Sequence, residues 1–203
     1  MPISRPILAL AALVGVSGLA GCGVASEGLS PRAVALADDF VLLGAPGYCA
    51  DMTSVDLAHD PQVVLFGSCQ ALRGNRFVQG PDVPALVTVA VTEIGPSVPS
   101  VSSLEAFLSS TEGRAFMSRS GRAETVEVLR TRRRDGILML HATDTSPGRP
   151  PGTLAENWRA VMAVEGRLVS ISVLPFADDP LSTDLAFATL EAQCARIRQA
   201  NLN

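Results

Sequence analysis

Two stretches in the C-terminal half restrict this chain more than any others. Thr125 to Arg134 reads as a strand, Asp135-Gly136 follows, and Ile137 to Thr143 resumes a strand-like run. Asp-Gly between two such runs marks a two-residue hairpin, because both turn positions need a positive φ. Trp158 to Val164, Glu165-Gly166 and Arg167 to Val173 repeat the arrangement with a less decisive turn pair. Consecutive hairpins specify an antiparallel sheet, since parallel strands need long crossovers.

Helical patterns flank the hairpins. Leu104, Phe107 and Leu108 recur at helical spacing, behind a capping box in which Ser102 is the cap and Glu105 stands three residues on. Gly113 weakens any continuation through Phe116, and Gly121 closes the region. Asp179-Pro180 opens a last helix that runs to about Ala200, with Phe187, Leu190, Cys194 and Ile197 on its buried face. Upstream, Phe40 to Leu43, Val63 to Phe66 and Ala85 to Val91 read as further strands. Cys49 to Pro61 and Gly67 to Pro84 read as loops. The expected class is α+β, an antiparallel sheet of about five to six strands packed with two or more helices. This order of elements, over roughly residues 37 to 200, is similar to the PsbP-like fold.

The N-terminus sets an address. Arg5 precedes an apolar run from Ile7 to Leu19, and Leu19-Ala20-Gly21-Cys22 resembles the lipobox of bacterial lipoproteins. The run is too short for the ~18–20 residues that span a bilayer, and has the layout of an export signal. The resemblance implies removal of residues 1–21, lipid on Cys22, and a protein held on the bacterial envelope facing the periplasm. Gly23 rather than Asp after the cysteine leans towards the outer membrane over the inner. Residues 22–36 then form a lipidated tether, and 37–203 a single globular domain. Gly47-Tyr48-Cys49, Gly67-Ser68-Cys69, Trp158-Arg159 and Gly166-Arg167 also resemble uncharacterised alphaproteobacterial envelope lipoproteins, a likeness that carries no activity.

An oxidising compartment favours disulfides. Cys49 and Cys69 lie at turn-like and strand-end positions, and a bridge between them closes a loop of about 20 residues. Cys194 on a helical apolar face reads as a core residue. Spacing alone leaves the other pairings open.

Function is constrained mostly by exclusion. The net charge is −4, which disfavours a nucleic-acid binder. Aromatic residues make up 4%, few for a stacking platform. All 16 cationic side chains are Arg, so a Walker lysine and Schiff-base chemistry are absent. The spacings of zinc ligands do not occur, and neither a metal nor another cofactor is expected. His141 and Asp144 are the pair on which a small envelope hydrolase would depend. Arg130, Arg132, Arg133 and Arg134 run up to the first hairpin tip, on a strand whose alternation puts Val126 and Val128 on the face of Arg130, Arg132 and Arg134. They are a candidate anion patch, or a solvated hairpin end. The leading expectation is a non-catalytic, lipid-anchored binding or accessory module. Its partners would be the membrane through its anchor and a protein or anionic envelope component.

Overall fold

The computed structural model describes residues 30–94 and 98–202, so the proposed signal and Cys22 lie outside the described residues. Its strands are β1 (Ala33–Ala35), β2 (Val41–Leu43), β3 (Tyr48–Ala50), β4 (Gln62–Ser68), β5 (Ala85–Glu93), β6 (Val126–Arg134), β7 (Ile137–Asp144), β8 (Glu156–Val164) and β9 (Arg167–Pro175). The helices are α1 (Cys69–Leu72), α2 (Val101–Ser109), α3 (Thr111–Met117) and α4 (Thr183–Ala200). Strands β3 to β9 form a seven-stranded antiparallel sheet in the order β3-β4-β5-β9-β8-β7-β6. The class is α+β, as the hairpins require. The sheet is larger than the five to six strands expected, and β1-β2 form a separate ribbon.

Both hairpin turns have positive φ at each central residue, 50° and 73° at Asp135-Gly136 and 46° and 71° at Glu165-Gly166. Glu165 therefore adopts the same left-handed geometry as Asp135, although its residue type signals it less clearly. Between the two hairpins, β7 pairs β8 along its length.

Strand alternation sends side chains to two faces. On one, Val87, Val89, Met139, Ala160, Met162, Ile171 and Val173 pack against Phe187, Leu190, Cys194 and Ile197 of α4. That helix starts later than Asp179-Pro180 suggests, because the Ser182 hydroxyl caps it by accepting from the Leu185 N–H at 3.3 Å. The first ribbon joins the same core. Val34 and Leu36 are 6% and 7% exposed, so the ordered domain reaches back into the stretch expected as tether. Gln193, fully buried on α4, accepts from the Ala45 N–H at 2.7 Å and donates to the Leu43 carbonyl at 2.9 Å. These bonds satisfy backbone groups that the end of β2 leaves unpaired.

On the other face, Leu138, Leu140, Ala142, Val161 and Val126 meet Leu104 and Leu108 of α2 and Met117 of α3. Ser100, not Ser102, is the α2 cap, accepting from the Ser103 N–H at 3.0 Å, and Glu105 points to β6 instead of closing a box. Ser110 ends α2 and caps α3 by accepting from the Gly113 N–H at 3.1 Å. Gly113, expected to weaken helix, sits inside α3 because a Cβ there would run into the Phe107 carbonyl. It lets the two helices meet at a sharp corner.

Cys49 on β3 and Cys69 at the start of α1 are disulfide-bonded, with Cα atoms 4.8 Å apart. Cys194 is a buried free thiol whose pKa burial pushes up to about 12. No helix among the described residues is long and apolar enough to cross a membrane.

Candidate ligand-binding cleft

Helices α2 and α3 pack over β6 and β7 and leave the β4-β5-β9 part of their sheet face uncovered. There the side chains of Val63, Thr88, Ala90, Thr92, Leu168, Ser170 and Ser172 are only half-buried. A cleft of about 330 Å³ runs between this floor and the helices. That is the size of a small-molecule site. Its upper wall is Leu104, Phe107, Leu108 and Phe116. Phe107 and Phe116 are 45% and 72% exposed, and their rings lie 6.1 Å apart. Unlike the lone exposed Phe77, these two lie together and form one apolar rim.

The strand register orders the floor into rows. Thr88, Ser172 and Arg159 lie side by side on β5, β9 and β8, and Val63, Ala90, Ser170 and Val161 form the next row. Leu168 and Thr92 follow beyond. One end of the cleft is therefore polar and the middle mainly apolar.

Arg159 marks the polar end. It is half-buried, and its Nε donates to Ser172 Oγ at 3.1 Å. Among the described residues its two Nη groups have neither an ion-pair nor a hydrogen-bond partner. Desolvation holds its pKa below the usual arginine range, partly offset by the charge of Asp144 and reinforced by that of Arg119. Asp144 does not neutralise Arg159, because Arg119 Nη1 already holds its Oδ2 at 3.2 Å and Ser146 holds its Oδ1 through the backbone N–H at 2.9 Å and the hydroxyl at 2.5 Å. Two guanidinium groups and one carboxylate leave this end of the cleft with an excess positive charge.

The sequence-derived candidates fall elsewhere. On β6 the pairing register shifts between Val128 and Arg130, a bulge at Leu129. The extra residue reverses the alternation, so Val126 and Val128 face α2-α3 while Arg130, Arg132 and Arg134 face the α4 side, contrary to the uninterrupted alternation expected. Arg133 pairs with Glu105 of α2, which also accepts from Thr131 Oγ1 at 2.6 Å. Arg134 and Arg132 reach Glu191 of α4 at 2.9 and 3.7 Å. Arg130 alone lacks an ion-pair partner among the described residues. The four arginines are thus divided between two faces and mostly neutralised, not gathered into one patch. They lie on the outermost strand, where charge and a bulge discourage edge-to-edge pairing.

His141 and Asp144 also part company, since they alternate to opposite faces of β7. His141 stacks on Trp158 with ring centroids 4.6 Å apart, and its Nε2 meets Glu156 Oε1 at 3.0 Å. The pair expected of a hydrolase shares no site. His59 is exposed and bonds Asp56 Oδ2 at 2.9 Å. No cluster of three or more metal-ligating side chains occurs among the described residues.

Arg159 was the residue that sequence reading passed over. Its signal is a cation in mid-strand with Trp158, Ala160, Val161 and Met162 around it, a position where charge is costly unless it serves something.

No family model and no curated protein matches this chain. Among solved structures it is similar to the solution structure of cyanobacterial PsbP (CyanoP) from Synechocystis sp. PCC 6803, with 14% identity, a TM-score of 0.44, and coverage of 88% of this chain and 96% of that one. The likeness is weak, and the fold class stands on the sheet order itself.

Proposed function

We propose that this chain is a non-catalytic binding module of the bacterial envelope, tethered through lipid on Cys22 and facing the periplasm, with its ligand held in the cleft beside α2 and α3. The half-uncovered sheet face, with Phe107 and Phe116 at its rim, carries this reading. A sheet face of alternating small hydroxyl and apolar residues, walled on one side by a helix corner, is built to enclose a guest.

Ala90 lies in the middle of the floor. Ala90→Trp fills the cleft with a residue that strands accept. The wild-type full chain, purified from its native envelope, should carry a small molecule detectable by mass spectrometry of the extract, and the Ala90→Trp chain should not. Equal extracts from both would refute the reading. The tether rests on the lipobox resemblance alone. Feeding cells an alkyne fatty acid should label the wild type and leave Cys22→Ser unlabelled, and equal labelling would remove the anchor.

A further inference from the structure

We infer that the cleft takes a single-chain amphipathic anion, its oxyanion head received by Arg159 and its alkyl tail lying across the apolar floor beneath Phe107 and Phe116. The inference rests on the binding-module reading above and deepens it.

Three observations converge. The guanidinium of Arg159 is anchored through Nε to Ser172, and both residues line the cleft. A fixed guanidinium fork suits a carboxylate or phosphate, which it can bind through two parallel hydrogen bonds. Asp144 is committed to Arg119 and Ser146, so the head group of a ligand would supply the missing countercharge. A partly desolvated cation without a partner is costly, and an anion bound there removes that cost. Beyond the head site the lining is mainly Val161, Ala90, Val63, Leu168 and the phenylalanine rim, with only the Ser170 and Thr92 hydroxyls among them, which offers little to a second charged group and much to methylenes. A sugar or nucleotide would leave its hydroxyls facing these side chains. A cation would meet Arg159.

The test is calorimetric titration of residues 22–203 carrying Cys22→Ser, made without the apolar Ile7–Leu19 run, which keeps lipid and detergent out of the cleft. The probes are decanoate, decan-1-ol, decyltrimethylammonium and acetate. Decanoate should bind at least roughly tenfold more tightly than decan-1-ol, the gap expected of one charge-assisted contact. Acetate and decyltrimethylammonium should not bind measurably. Arg159→Gln should bring decanoate down to the level of decan-1-ol without changing decan-1-ol, and Arg159→Lys should recover part of the difference. Equal binding of decanoate and decan-1-ol, or of decanoate and the cation, overturns the anion assignment while leaving a binding cleft. Failure of every decyl compound overturns the cleft as well. The comparison of anion, alcohol and cation uses only unmodified Arg159, so it holds even if Arg159→Gln does not fold.

Discussion

Replacing Cys49 and Cys69 together by serine should lower the unfolding free energy by about 2–5 kcal/mol. The bridge holds β3, only three residues long, to the start of α1, and both cysteines are completely buried. Without it, the largely exposed loop from Met52 to Pro61 is free to enlarge the unfolded ensemble. The serine hydroxyls also have to be desolvated. Urea unfolding of the double variant should show an earlier midpoint and a steeper slope, because the freed loop exposes more surface on unfolding, and an unchanged midpoint would contradict the prediction. Peptide mapping without reductant should recover Cys194 as a free thiol, consistent with its place among Leu190 and Ile197.

Asp144→Ala should cost about 3 kcal/mol, a loss like that of one member of a buried ion pair. Asp144 is 2% exposed and serves three groups at once: the Arg119 guanidinium, the Arg119 backbone N–H at 3.1 Å and Ser146. Removing it strands their donors and joins Arg119 to Arg159 as a second unneutralised cation. Burial pushes the Asp144 carboxyl up, but the Ser146 hydroxyl and backbone bonds, with the Arg119 backbone bond and charge, outweigh it and hold the pKa below the ordinary 3.8. A depressed folded-state pKa stabilises above the unfolded value and is lost as pH falls through the folded one. The stability gap between wild type and Asp144→Asn should therefore be full at neutral pH and shrink below 3.8 in acid-dependent urea titrations. A gap that widens with acid would reverse this assignment.

What could be read from the sequence was what the chain encodes locally. Asp135-Gly136 and Glu165-Gly166 carry their own turn geometry, so the hairpins were legible without their neighbours. Phe187, Leu190, Cys194 and Ile197 declare one face of α4 by spacing alone. Features set by a partner were not legible. The bulge at Leu129 exists only in register with β7, and a strand read alone shows no extra residue. Ser102 with Glu105 looks the better cap in sequence, but Glu105 is drawn to Thr131 and Arg133 of β6, and Ser100 caps instead. Gly113 looked like a weakness because the Phe107 carbonyl it makes room for belongs to the preceding helix. The cleft depends on where α2 and α3 stop short across the sheet, which no periodicity records. An isolated arginine has no motif, so Arg159 is not legible as a site residue. Its meaning comes from the absence of a carboxylate that is elsewhere engaged.

The strand order has a consequence for how the molecule comes together. Strands β3-β4-β5 form one meander and β6-β7-β8-β9 another, each built from neighbours in the chain. The two are stitched by a single seam, β5 against β9, running from Ala85↔Pro175 to Glu93↔Arg167. Nothing upstream can close that seam before β9 has emerged, and α4 follows it as the last piece, laid on β8, β9 and β2. Such late, long-range pairing is slow compared with hairpin formation. A polypeptide threaded through a membrane from its N-terminus would thus remain in two halves for most of its passage, and become whole only when its last strand and helix arrive.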